Sequence, residues 1–210
     1  GAGKGDAGGL GAGDAPQGGF GSLGVGERVV DKVTGGLGIG VPTPIQRAAI
    51  PALLRGESVA MECYTGSGKT LAYLLPILSR IEGGTCAGDG AASGIRAVVV
   101  APSQELAMQI YRIARGLAGR PEAVQQAIGG ANKRRQVASI RSNAPEVVVG
   151  TPGRLAELSR EGHLQTHHTD HIVLDEADKL LTGEAFSRDV SRILLHVGTK
   201  AKRIQRVLVS

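Results

Sequence analysis

The sequence predicts an α/β domain: a mostly parallel sheet with helices packed on both faces. Three observations predict it. Short, almost wholly apolar runs recur along the chain, as strands buried on both faces require. They alternate with longer stretches of helical period. The turn joining the first such strand to the first long helix is rich in glycine and ends in Lys-Thr. At 210 residues the chain suits one large domain better than two small ones.

Residues 1–26 hold twelve of the 33 glycines and few large apolar groups. Such a segment cannot bury enough surface to offset its ordering entropy. A flexible lead-in is expected over 1–26, with Phe20 and Leu23 as anchor points, and the folded domain over 27–210. "AAIPALLR" (48–55) reads as a helix entered through "PTPIQ", where proline suits a first turn. "SVAMEC" (58–63) is a candidate strand, followed by a glycine turn and the helix "KTLAYLLPILSRI" (69–81). Residues 83–94 read as a surface loop, with Cys86 in it. "IRAVVVA" (95–101) is a buried strand. "SQELAMQIYRIARGLAG" (103–119) sets Leu106, Ile110, Ile113 and Leu117 on one helical face, expected to be core. Further strands are "AVQQAI" (123–128), "EVVVG" (146–150), "HIVLD" (171–175) and "RVLVS" (206–210). Helices are expected over 132–142, 152–160 and 184–197.

Composition narrows the function. Aromatic residues make up 2% of the chain and Trp is absent, so the core is aliphatic. Ring stacking is then a poor main mode of nucleic-acid contact. A net charge of +5 biases the chain toward a polyanionic partner. Two cysteines, Cys63 and Cys86, make no disulfide framework, and reduced thiols fit an intracellular protein. No apolar run approaches the roughly 20 residues that span a bilayer, so no membrane partner is expected. The chain opens on Gly1 rather than Met, which leaves room for a removed targeting segment.

The stretch "CYTGSGKT" (63–70) carries the chemistry. A strand, a glycine turn and a helix together make a phosphate-binding loop. Thr65, Gly66, Ser67 and Gly68 let backbone N–H groups converge on phosphate oxygens, and the helix N-terminus adds partial positive charge. Lys69 reaches the β- and γ-phosphates, and the Thr70 hydroxyl ligates Mg²⁺. The generic pattern is broken at its first position, where Cys63 replaces glycine. A nucleotide loop also needs carboxylates, which "IVLDEAD" (172–178) supplies at a strand end. Asp175 suits holding Mg²⁺ through water, and Glu176 suits orienting or deprotonating an attacking water. Acidic residues after a strand also serve as helix N-terminal charges, and for Asp178 alone that bland role is a fair reading.

With those residues in place, the sequence resembles the DEAD-box RNA helicases, over residues from about 20 to the C-terminus. Asp175, Glu176, Ala177 and Asp178 spell the family's name. "GIGVPTPIQ" (38–46) resembles its Q motif, "APSQELA" (101–107) its motif Ia, and "GG" (129–130) and "TPGR" (151–154) its next two motifs. The resemblance implies a RecA-like P-loop fold, ATP as cofactor with Mg²⁺, and RNA as partner. Gln46 would read the adenine edge and Ile39 would pack on the base. Lys69, Asp175 and Glu176 would be catalytic. Pro102, Ser103, Gln104, Gly129, Gly130, Thr151, Pro152, Gly153 and Arg154 would hold RNA by its phosphates, without reading sequence. Asp178 and Ser210 would couple the site to a second RecA-like domain in cis, Ser210 standing as the first letter of the family's S-A-T motif.

Three departures from the family pattern bear on these expectations. Ile39 replaces a stacking aromatic, which weakens ATP binding by about 1 kcal/mol. Gln104 replaces an arginine of motif Ia, which removes about one phosphate contact from the salt dependence. Cys63 replaces alanine. Two other functions compete: a P-loop kinase or transport ATPase, against which the Q motif and "TPGR" speak, and an RNA-binding scaffold without hydrolysis, against which Lys69, Thr70, Asp175 and Glu176 speak. The residues alone leave "NKRRQ" (132–136) open as an RNA-facing or a solvated helix start. His163, His167, His168 and His171 lack a carboxylate or cysteine frame and read as a solvated loop.

Overall fold

The computed structural model describes residues 18–84, 94–201 and 203–210. The glycine-rich stretch before residue 18, and most of the expected 83–94 loop with Cys86, lie outside the described residues.

Six strands form one parallel sheet in the order β1-β6-β5-β2-β4-β3. They are β1 (Val59–Met61), β2 (Ala97–Val100), β3 (Val124–Ala127), β4 (Val147–Gly150), β5 (His171–Asp175) and β6 (Gln205–Val209). The helices are α1 (Glu27–Asp31), α2 (Pro44–Leu54), α3 (Lys69–Glu82), α4 (Gln104–Leu117), α5 (Lys133–Asn143), α6 (Pro152–Arg160), α7 (Ala177–Thr182) and α8 (Glu184–His196). The expected strand over 58–63 is three residues long, because the chain leaves the sheet at Glu62 to enter the phosphate loop.

The strand order explains which helices cover which face. Parallel crossovers are right-handed, so the direction of travel across the sheet decides the face. From β1 to β2 to β3 the chain moves one way, and α3 and α4 pack on one side. From β3 through β4 and β5 to β6 it moves back, and α5 to α8 pack on the other.

Each apolar strand alternates between two cores, as a period of two requires. Ala97 and Val99, Val147 and Val149, Val173, and Val207 and Val209 enter the core beneath α2, α3 and α4. Val98 and Val100, Val148, Ile172 and Leu174 enter the core beneath α6 and α8. Continuous apolar runs therefore conceal a strict alternation. It aims Asp175, two residues after Val173, at the α3 side of the sheet.

The chain before α2 is more ordered than its composition suggests. Phe20 sits in a short 3₁₀ turn (Phe20–Leu23) and is fully buried in the first core, with Leu23 packed against it. α1 runs on into a π-helical segment (Lys32–Gly36), neither of which has a strong sequence signal. Val29 and Val33, four apart, anchor that pair from below.

Candidate functional site

The loops at the carboxyl edge of the sheet carry the expected site residues, where ligands of open α/β sheets bind. One cleft of about 510 Å³ is lined by the phosphate loop from Cys63 to Thr70, by Asp175, Glu176 and Asp178 after β5, and by Ser210 after β6. α4 closes it with Leu106, Gln109 and Ile113.

Glycine shapes the loop. Gly66 and Gly68 have φ of 87° and 92°, a region that a Cβ disfavours. Gly68 also lies against Gln46, whose Nε2 donates to the Gly68 carbonyl at 3.0 Å. The Gln46 Oε1 accepts from the Thr43 N–H at 2.9 Å, one arm of a capping box at the start of α2. Gln46 is therefore a buried strut between α2 and the phosphate loop. Each end of its amide makes one such bond, and the side chain is 1% exposed. Ile39 is half-buried and packs against the first core.

Lys69 folds over the loop and donates to the carbonyls of Cys63 and Tyr64. The hydroxyl of Ser67 is buried and has no hydrogen-bond partner in the protein. Buried polar groups are normally satisfied, so an orphaned hydroxyl within a glycine cradle fits a polar ligand there.

Asp175 closes β5 and is buried. Its Oδ2 accepts from the Tyr73 phenol at 2.8 Å and its Oδ1 from the Glu176 N–H at 3.0 Å. Burial raises its pKa above the ordinary carboxylate value, against the opposing hydrogen bonds and the Lys69 charge. Burial raises the Tyr73 pKa well above the usual phenol value, with the Asp175 carboxylate adding to the shift. Glu176 has φ 53°, ψ 53°, a left-handed conformation rare outside glycine. That turn throws its carboxylate outward, where Lys179 Nζ holds it at 2.9 Å. Ser210 Oγ donates to Asp178 Oδ1 at 3.1 Å, joining the ends of β5 and β6. Among the described residues no group of three or more His, Cys, Asp or Glu forms a metal cage.

A second set of loops follows β2, β3 and β4. Val100 of β2 pairs with Leu174 of β5, so the 102–104 loop leaves the sheet beside the acidic loop. Ser103 and Gln104 are exposed, and Ser103 Oγ caps α4 by accepting from Leu106 N–H at 3.2 Å. Gly129 N–H donates to Thr151 Oγ1 at 3.3 Å, and Gly130 turns at φ 72°. Gly130 and Gly153 are exposed, Pro102 and Gly129 partly so, whereas Thr151 and Pro152 are buried and hold the turn from beneath. Arg154 departs from the expected phosphate contact. Its guanidinium donates to Glu157 at 2.9 Å, Gln136 Oε1 at 2.9 Å and the Ala131 carbonyl at 3.3 Å, all inside the protein. Lys133 of the basic stretch likewise pairs with Glu157 and Glu161, both at 2.8 Å.

Two other expectations change. Leu106 and Ile113 are partly buried and wall the cleft, whereas Ile110 and Leu117 are core. His171 is not solvated: it is 1% exposed at the start of β5, with Nδ1 2.7 Å from Gln205 Oε1. Burial lowers its pKa to about 4, and the Arg80 and Arg96 charges push the same way. Tyr73 and Lys179 escaped the sequence reading, because a tyrosine inside an apolar helix and a lysine after an acidic run look like core and surface.

Comparison with known proteins places these features. Residues 43–210 match the family model described as "DEAD/DEAH box helicase". The chain is 48% identical over 174 residues to "DEAD-box ATP-dependent RNA helicase 47, mitochondrial" of Arabidopsis thaliana, covering 78% of this chain and 31% of that protein. It is 41% identical over 161 residues to the DEAD-box ATP-dependent RNA helicase CshB of Bacillus subtilis, covering 75% of this chain and 35% of that one. It thus spans about a third of the length of these curated relatives. Mss116p, in a structure bound to ssRNA and AMP-PNP, superposes with a TM-score of 0.82 at 26% identity, covering 93% of this chain and 41% of that one. A DEAD box protein from Methanococcus jannaschii superposes with a TM-score of 0.76 at 26% identity, covering 91% and 49%.

Proposed function

The chain belongs to the DEAD/DEAH box helicase family and has its RecA-like fold, and from that premise we propose that it is the ATP-binding domain of an RNA-dependent ATPase and helicase. The observation that carries the reading is one cleft lined by Lys69, Thr70, Asp175 and Glu176 together.

The backbone amides of residues 66–70 and the α3 N-terminus hold the phosphates. Lys69 exchanges the Cys63 and Tyr64 carbonyls for β- and γ-phosphate oxygens. Gln46 reads the adenine edge, which selects ATP, and Ile39 packs on the base. Thr70 and Asp175 would hold Mg²⁺, which would supply charge neutralisation on the phosphates. Glu176 orients the attacking water and takes its proton. The Lys179 ion pair holds that carboxylate at the exposed mouth of the cleft until the ligand arrives.

RNA lies across the neighbouring loops, held by its phosphates at Pro102, Ser103, Gln104, Gly129, Gly130 and Gly153. Thr151, Pro152 and Arg154 order the turn from below. Asp178 and Ser210 tie the hydrolysis site to the end of β6 and so to a second RecA-like domain in the whole protein. That partner domain supplies charge on the transferred phosphoryl group, so this domain alone binds ATP weakly and hydrolyses it negligibly. The whole protein grips RNA with ATP bound, releases it after hydrolysis, and thereby opens a short duplex or remodels an RNA–protein complex. Among the described residues no helix is long and apolar enough to cross a membrane.

Glu176→Gln in the full-length protein tests the reading. Binding is retained and hydrolysis lost, so the variant stays trapped on single-stranded RNA in the presence of ATP. A variant released from RNA as fast as the parent contradicts the proposal.

A further inference from the structure

Tyr73 is fully buried, among the largest side chains with no exposed surface. A phenol in such a place needs partners for its hydroxyl. It has one in a residue assigned above to the metal: the hydroxyl donates to Asp175 Oδ2 at 2.8 Å. Thr70 and Tyr73 are three apart on α3 and share a face, so the helix presents both to the end of β5. The other oxygen of Asp175 accepts from the Glu176 N–H. With a donor on each oxygen, the plane of the carboxylate is fixed before any ligand binds.

We propose that Tyr73 is a positioning residue for the Mg²⁺-bound nucleotide: its phenol locks the Asp175 carboxylate in one orientation toward the cleft that Thr70 also lines. The inference rests on the nucleotide reading of the cleft. Phenylalanine fills nearly the same volume, so the first core asks only for the ring, and the hydroxyl serves the site. Without it, Asp175 keeps one anchored oxygen and rotates. A preorganised ligand set binds more tightly than one ordered on binding, and the advantage appears only when the metal is present.

Tyr73→Phe separates this role from packing. A fluorescent ATP analogue is titrated into parent and variant, with Mg²⁺ and with chelator, beside thermal unfolding without ligand. Affinity without metal stays within about twofold, and the gain in affinity produced by Mg²⁺ shrinks about tenfold, as loss of one hydrogen bond to a charged group implies. With Mn²⁺ in place of Mg²⁺, the electron paramagnetic resonance signal of the bound ion changes in the variant. An equal Mg²⁺ gain and an unchanged Mn²⁺ signal overturn the positioning role while leaving the nucleotide site intact. A parent that binds no nucleotide with or without metal overturns the nucleotide reading and this inference together. Should the variant not fold, 3-fluorotyrosine at position 73 of the parent gives a second readout. Its fluorine resonance moves when Mg²⁺ joins bound nucleotide, and indifference to Mg²⁺ refutes the proposal.

Discussion

Lowering the pH tests the polar chain inside the first core. His171 is kept neutral by burial with a pKa of about 4, and the unfolded chain titrates near the reference value of roughly 6.5. Between those values the unfolded chain binds a proton that the folded one refuses. The stabilisation is therefore complete above pH 6.5 and is lost as pH falls toward 4. A shift of about 2.5 units corresponds to roughly 3 kcal/mol in all, of which about 2 kcal/mol is lost between pH 7.5 and 5. Structure gives the reason. The ring is 1% exposed and the Arg80 and Arg96 charges oppose a further positive charge, which together outweigh the contact of Nδ1 with Gln205 Oε1 at 2.7 Å. Asp170 and Asp175 have raised pKa values and act with the opposite sign, favouring the fold as pH falls. Comparison with His171→Gln removes their effect, since both proteins carry them. Urea unfolding of each at pH 7.5 and pH 5 is the assay. The parent loses about 2 kcal/mol more than the variant over that span. Equal losses would mean that burial of His171 does not set the pH dependence.

Other expectations concern the two loop clusters. Gly68→Ala places a Cβ closer to Gln46 Nε2 than real Cβ atoms come to a neighbour, and 3.2 Å from Thr43 Oγ1, at φ 92°. Left-handed strain and the lost Gln46 contact together cost about 2 kcal/mol, read as a lower urea midpoint together with lost binding of a fluorescent ATP analogue. Arg154→Ala strands the Gln136 and Ala131 acceptors and costs about 2 kcal/mol of stability, while the salt slope of RNA binding by the full-length protein stays the same. A slope reduced by about one with stability unchanged would instead place this guanidinium on a phosphate.

Much of this architecture is legible in the sequence because its strands are near-continuous Val and Ile runs that only a doubly covered sheet accepts. The phosphate loop and the acidic loop are legible because glycine, lysine and paired carboxylates at a strand end have little other use. What the sequence hides is contact between distant elements. Tyr73 and Asp175 are 102 residues apart. Nothing local distinguishes that tyrosine from the leucines around it, and only the alternation of β5 brings it into register with the carboxylate. Arg154 shows the reverse case. Its motif suggests an outward cation, and the acceptors that draw it inward lie on the 131–136 turn and on α6. Leu106 and Ile113 have the spacing of core residues, and the cleft beneath them becomes visible once α4 is docked beside the phosphate loop. Phe20 is a lone aromatic in a glycine-rich run, and its burial depends on a pocket made by elements that follow it.

A structure of this chain soaked with Mg²⁺ and a non-hydrolysable ATP analogue decides whether the cleft holds the nucleotide. There the Lys69 amine moves from the Cys63 and Tyr64 carbonyls onto the phosphates, Thr70 and Asp175 gather about one metal ion, and Tyr73 stays bonded to that carboxylate. An analogue bound elsewhere on the sheet, with Lys69 left on its loop carbonyls, would contradict that arrangement.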